Sequence, residues 1–193
     1  MNQSIQPLAP LSAEAVHDRI WQELTRSTVD RHHEWRTPVL ASIGLDGTPQ
    51  ARVVVLRQAL KVTQSLTIFT DSRTPKVAEL KAQPVGMLTF WSKRLNWQCR
   101  IALSFQVHTD GPEVETAWER MSKSMAAKDY LATVAPGSPF NGSDSNQNAE
   151  ANNIPHNLCL LSGQISAIDW LELGHLAHRR IKFRPDGWQE VVA

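Results

Sequence analysis

The hydrophobic pattern is sharpest between residues 97 and 108. Trp97, Cys99, Ile101, Leu103, Phe105 and Val107 alternate there with Gln98, Arg100, Ala102, Ser104, Gln106 and His108. A period of two predicts a long strand with one buried face and one polar face. Shorter apolar runs bounded by turn residues predict further strands over 39–45, 51–56, 66–70, 85–91, 157–168, 179–184 and 188–192. Asp46-Gly47 joins the first two of these as an antiparallel hairpin.

Helical spacing is seen in three places. Val16, Ile20 and Leu24, with Trp21 beside them, predict an amphipathic helix opened by Ser12. A short helix begins at Thr74-Pro75 and ends before Pro84. Thr is a good N-cap, and Pro suits the first helical position because its missing N–H costs nothing there. After Asp110-Gly111-Pro112 a third helix places Val114, Ala117, Trp118 and Met121 on one face, and 123–135 reads as a further short helical piece. The sequence RHHEWR at 31–36 reads as a polar connector, and the residues between 57 and 66 as a linker. The stretch 136–156 contains GSPFNGSDSNQNAEANN and reads as a long loop, mobile near 137–156.

About eight strands joined by short turns, with helices at two crossovers, predict a mainly β fold. The expected architecture is a closed or nearly closed antiparallel barrel with peripheral helices, in one domain over 1–193.

Composition narrows the function classes. A net charge of +1 gives no bulk electrostatic case for nucleic acid or a membrane surface. No apolar run approaches ~20 residues, and the N-terminus has neither a charged n-region nor an apolar h-region. The two cysteines, Cys99 and Cys159, sit in separate apolar strand-like runs. They read as buried free thiols, which fits a reducing compartment and a cytoplasmic location. Seven tryptophans stand against one tyrosine; a Trp can stack on a ligand, but most serve cores.

The candidate chemistry lies between residues 50 and 76. Arg52 and Arg57 bracket the β-branched run Val53-Val54-Val55-Leu56, and Phe69-Thr70-Asp71 leads through Arg73 into the helix that carries Lys76. Two cations meeting the free N–H groups of a helix N-terminus would suit a phosphate monoester. Two surface strands with solvated charges are the plainer reading, and these residues alone slightly favour it. Neither Gly-x-Ser-x-Gly, a Walker loop, Gly-x-Gly-x-x-Gly nor a Ser/His/Asp triad is present. His32-His33 and His175-x-x-His178 lack cysteines or a carboxylate at metal-site spacing, so no metal is expected. The carboxylates show no glycosidase-like pairing.

The ordered set Arg-Val-Val-Val-Leu-Arg, Phe-Thr-Asp, an early helical Lys, a strand Gln and a late Trp and Arg resembles the pyridoxamine 5′-phosphate oxidase-like FMN-binding split barrels. It looks closest to their cyanobacterial-type branch, whose members carry FTD-x-R-[ST]-P-K-x-x-x-L. The resemblance covers roughly 37–188, and the order rather than any single motif makes it specific. It implies FMN as cofactor, with Arg52 and Lys76 on its phosphate and Val53, Val54, Val55 and Leu56 along its ring system. Arg57 stands where the family has lysine, Phe69-Thr70 where it has Tyr-Thr, and Pro75 where the oxidases have arginine, with Arg73 a possible substitute. Gln98 matches the glutamine that hydrogen-bonds the ring. Trp170 and Arg180 match the family's Trp and Arg at the same spacing, and Ser138 is a weaker match near the phosphate. Two chains share each flavin in this family, so a homodimer is implied.

The substrate half departs from the true oxidases. Their Lys, Tyr, Arg and Ser for the vitamin phosphate correspond to Arg57, Trp118, Ser122 and Ala126. Their late Arg-x-His corresponds to Leu176-Ala177-His178, so only His178 remains. A buried phosphate without its cations is strongly disfavoured, so pyridoxamine phosphate is expected to be a poor substrate. The leading expectation is an FMN-dependent oxidoreductase taking hydride from another small molecule. A non-catalytic flavin-binding or flavin-storage protein is the alternative. A single-stranded nucleic-acid barrel is disfavoured by the charge, and related barrels that hold haem or a deazaflavin remain open. No catalytic acid or base emerges beyond Arg57 and His178 as the nearest candidates.

Overall fold

A computed structural model describes residues 11–139, 156–174 and 177–193. The chain forms the mainly β barrel with peripheral helices that the pattern predicts. Ser12 accepts a hydrogen bond from the Ala15 N–H at 3.2 Å and opens α1 (Ala13–Val29). Val16, Ile20, Trp21 and Leu24 bury one face of α1, which packs on β3. The sheet comprises β1 (Val39–Ile43), β2 (Pro49–Val53), β3 (Leu56–Leu60), β4 (Ser65–Asp71), β5 (Val85–Ser92), β6 (Trp97–His108), β7 (Leu158–Glu172), β8 (Arg179–Arg184) and β9 (Gly187–Val191). Between them lie α2 (Pro75–Ala82), α3 (Pro112–Met121) and the single turn α4 (Lys128–Leu131).

All strand pairs are antiparallel, in the order β2-β1-β5-β6-β7-β4-β3, with β8 and β9 added beside β7. The 15-residue β7 closes the arrangement by changing partners along one edge. Its first half pairs with β4 from Leu158 to Gln164, and its last five residues pair with β8. The alternation over 97–108 buries Trp97, Cys99, Ile101, Leu103 and Phe105 as expected. Cys99 and Cys159 are both buried and free.

Two expectations are corrected. The run over 51–56 is not one strand, because β2 ends at Val53 and β3 begins at Leu56. The chain crosses there from the β1 edge to the β4 edge, while the Val54 N–H bonds Pro38 O at 2.9 Å. The supposed linker after it therefore begins as the end of β3, through Leu60, and only 61–64 turn before β4. The connector at 31–36 is less polar than its composition, since Trp35 lies fully buried against Phe90 at 5.3 Å. His33 also bonds the buried Glu23 at 2.8 Å. The loop expected near 137–156 lies largely outside the described residues, as do residues 175 and 176. Among the described residues no helix is long and apolar enough to cross a membrane.

Candidate functional site

Arg52 leaves β2 on the side facing α2. Its Nη2 donates to Glu79 Oε2 at 2.9 Å, and its Nη1 donates to Ser42 Oγ. Ser42 in turn donates to Glu79 at 2.6 Å. Ser42 and Glu79 are both buried, so the guanidinium is clamped along one edge. An arginine carries five N–H donors, and this clamp leaves Nε and two further hydrogens for another acceptor.

Lys76 stands in the first turn of α2, beside Arg52. Its Nζ donates to Thr70 Oγ1 at 3.1 Å. Burial lowers the Lys76 pKa first, and the Arg52 charge lowers it further. Two cations held this close, one of them half-desolvated, form a natural seat for a dianion. Thr74 sits at the N-cap position, but its hydroxyl bonds Asp71 O at 2.8 Å instead of capping the helix. It also lies 3.2 Å from Thr70 Oγ1, which adds a hydroxyl to the cluster. Arg73 does not join it. Its guanidinium holds Asp71 at 2.7 Å and the carbonyls of Ala132 and Thr133, tying α4 to β4. Ser138 lies with Arg73 and Lys81 in a separate cleft of about 340 Å³ on another side of α2.

Val53 is exposed at the end of β2, Val55 is half-buried, and Val54 and Leu56 face the core. Arg57 follows on β3 with its guanidinium 6.0 Å from the centre of the Phe69 ring. Burial raises the pKa of Tyr130, and nearby Arg57 acts in the opposite sense. Trp118 is stacked on His156 at 4.4 Å and does not line the groove that holds Arg57. His178 is exposed between β7 and β8.

The remaining residues gather elsewhere. Gln98 pairs in register with Trp91 and Leu171, and Leu171 pairs with Arg180. Arg180 and Arg100 grip Asp169 at 2.7 and 2.5 Å. Burial opposes the Asp169 charge, but those hydrogen bonds outweigh it and hold its carboxyl below the usual range. Trp170 is 1% exposed, edge-on to Trp97 at 5.0 Å, and its Nε1 has no hydrogen-bond partner among the described residues. Thr70 pairs with Cys159 at one end of β7, while Trp170 lies near the other end. At ~3.3 Å per residue the eleven intervening steps span roughly 36 Å. Within one chain the expected site is therefore two clusters, Arg52–Thr70–Lys76 and Gln98–Arg180.

Ser42 and Glu79 were missed by reading along the chain. Ser42 carried one signal, a hydroxyl at the core-facing parity shared with Leu40. Glu79 had none, because Arg52 and Ser42 are distant from it in sequence.

The order of the antiparallel strands, with Arg52 and Lys76 converging at the first turn of α2, defines the class as a split β-barrel. Comparison with known proteins specifies it. The pyridoxamine 5′-phosphate oxidase FMN-binding domain family matches residues 18–109. Pyridoxine/pyridoxamine 5′-phosphate oxidase 2 of Arabidopsis thaliana is 30% identical over 145 residues, covering 69% of this chain and 72% of that protein. The chain belongs to the pyridoxamine 5′-phosphate oxidase family, whose domain binds FMN. Two crystal structures share the fold. A pyridoxamine 5′-phosphate oxidase-related, FMN-binding protein from Nostoc punctiforme has a TM-score of 0.68 at 22% identity, covering 95% of this chain and 97% of that one. PhzG from Burkholderia lata, in complex with tetrahydrophenazine-1-carboxylic acid, has a TM-score of 0.72 at 16% identity, covering 97% and 98%.

Proposed function

We propose that this chain is an FMN-dependent oxidoreductase that works as a homodimer and takes hydride from a small molecule. The observation that carries the reading is the convergence of Arg52, Lys76 and Thr70. The donor set fits the cofactor's phosphate: a clamped guanidinium with spare N–H donors, a partly desolvated ammonium and a hydroxyl. With FMN held there, the redox chemistry would be the flavin's, as two-electron acceptor for a hydride donor, and the protein would supply binding and orientation. Arg52 and Lys76 would fix the phosphate, Glu79 and Ser42 hold Arg52 in place, and of the expected run Val53 to Leu56 only Val53 and Val55 would offer side chains to the ring system, because Val54 and Leu56 are buried in the core.

The dimer is supported by the separation of the two clusters, since a second copy could bring its Gln98, Trp170 and Arg180 to the first copy's cation pair. It is supported too by the outer face of the sheet. Ala51, Ala41, Met87, Ala102 and Ala167 form one register row there, all exposed or half-exposed. Four of the five are alanines, whose small side chains let two sheets approach closely.

Pyridoxamine phosphate is a poor substrate in this reading, because Trp118 is turned onto His156 and Ala126 offers no polar contact. The same observation favours a second reading, a flavin carrier without turnover. An absorbance spectrum of the purified protein, with FMN added if it is colourless, tests the cofactor. Sedimentation tests the dimer, and anaerobic bleaching by pyridoxamine phosphate or other donors separates oxidase from carrier. A protein that neither carries nor takes up FMN overturns the proposal.

A further inference from the structure

The fold accounts for six of the seven tryptophans. Trp21, Trp35, Trp97 and Trp170 are buried in the core. Trp118 is stacked on His156 at 4.4 Å, and Trp188 donates to Glu14 of α1 at 3.0 Å. Trp91 alone has neither a ring nor a hydrogen-bond partner among the described residues, and it stands 46% exposed. A single exposed apolar side chain is ordinary on a protein surface; the neighbours of Trp91 are not.

The register of the sheet sets those neighbours. Trp91 lies directly opposite Gln98, Gln98 opposite Leu171, and Leu171 opposite Arg180. Directly paired residues turn their side chains to one face of a sheet. The alternate residues Phe90, Ser92, Cys99 and Trp170 are buried, so this row is on the outer face. At ~4.8 Å per strand it makes a platform roughly 14 Å long. The platform offers an indole and an isobutyl group to the face of a flat ring, and an amide and a guanidinium to the polar atoms at its edge. Arg180 spends Nε and Nη2 on Asp169, at 2.8 and 2.7 Å, which leaves Nη1 for another acceptor.

The row of small residues on the same face passes through Met87, Ala102 and Ala167. From there to Trp91, Gln98 and Leu171 is four residues along each strand, roughly 13 Å. Two twisted sheets that touch at the small row diverge away from it. Side chains as long as Trp and Arg then line the opening between the copies.

We propose that Trp91 is a cofactor-contacting residue: in the dimer its indole packs on the isoalloxazine whose phosphate the other copy's Arg52 and Lys76 hold. The inference rests on the proposed function and adds a residue for the face of the ring, beside Gln98 and Arg180 for its polar atoms. Contact of this kind has an optical consequence. An excited flavin takes an electron from a touching indole and returns it, with no net reaction, so its emission is quenched.

The test is FMN titration of the purified protein, freed of any flavin it carries, and of Trp91→Phe and Trp91→Ala, with bound-flavin emission and sedimentation measured on each. The parent should hold a dark flavin. Phenylalanine keeps a ring face but is a far poorer electron donor. Trp91→Phe should therefore bind FMN within roughly 3-fold of the parent and raise the bound emission severalfold. Trp91→Ala should raise it likewise, weaken FMN by roughly 10-fold, and stay dimeric because the small row is untouched. A bright flavin in the parent, parent-like emission in Trp91→Phe, or parent-like affinity in dimeric Trp91→Ala would each overturn the inference. If Trp91→Ala is a monomer, the emission of dimeric Trp91→Phe decides. A parent that takes up no FMN sinks the flavin reading and this inference together; FMN uptake with Trp91 indifferent sinks this inference alone.

Discussion

Arg52 and Glu79, 27 residues apart, are joined at 2.9 Å, with Ser42 bonded to both. Glu79 lies in the same helix as Lys76, so one ion pair fastens β2 to α2 and sets the spacing of the two cations. A carboxylate beside the proposed phosphate seat opposes its purpose only if Arg52 has no other donors, and it has three.

Removing the guanidinium has two separable effects. Arg52→Ala should weaken FMN binding by roughly 10–150-fold, the value of a charge-assisted contact of ~1.5–3 kcal/mol. It should also destabilise the apo protein by about 1–3 kcal/mol by stranding buried Glu79. Adding Glu79→Ala should restore part of the stability and none of the affinity. Flavin fluorescence quenching and urea unfolding on the four corners of the cycle measure both.

Lys76 should act on stability in the opposite direction from its effect on binding. Its folded pKa lies below the ordinary 10.5, so the folded apo state disfavours the charged form throughout the range below that folded pKa. The penalty is fully present below the folded pKa and disappears as pH rises from there to the ordinary 10.5. Apo Lys76→Met should therefore melt at or above the parent at pH 7, with the gap closing toward pH 10.5, while binding FMN more weakly. A melting series against pH checks the sign. A variant that melts well below the parent at pH 7 would overturn it.

Trp170 packs edge-on to Trp97 within the core. Trp170→Ala should cost about 3–5 kcal/mol by chemical unfolding, the range for deleting a buried aromatic. A loss under about 1 kcal/mol would mean that the site relaxes around the gap.

Gly86 on β5 is held small by its neighbours. A Cβ there would meet Ala41 O at 2.8 Å and Phe105 Cε2 at 3.0 Å. The first contact is backbone and cannot rotate away, so Gly86→Ala should destabilise by about 1–3 kcal/mol. Thermal melting checks it, and an unchanged melting temperature would show that β1 and β5 part easily.

Ala102→Arg places a long cation in the row of small residues on the outer face. If two copies meet there, sedimentation should show monomer, and FMN affinity should fall with it. A dimer that survives the substitution places the interface elsewhere.

Much of this architecture was legible along the chain. The alternation from Trp97 to His108 specified β6 and its buried face, and Ser12 and the Thr74-Pro75 pair marked two helix starts, because caps and periodicity are local. The ordered set from Arg52 to Arg180 was enough to recognise the family. The tertiary structure decided the rest. The break at Val54-Val55 depends on which edges β1 and β4 offer, and no local residue announces it. Composition made 31–36 a polar connector, whereas packing buried Trp35 and joined His33 to Glu23. Arg73 was a possible substitute phosphate ligand in one dimension, but Asp71 and the carbonyls of Ala132 and Thr133, just after α4, hold it away. Local steric and hydrogen-bonding preferences act over a few residues and so can be read in sequence; ion pairs such as Arg52–Glu79 and rows such as Trp91–Gln98–Leu171–Arg180 depend on distances that exist only once the sheet has closed.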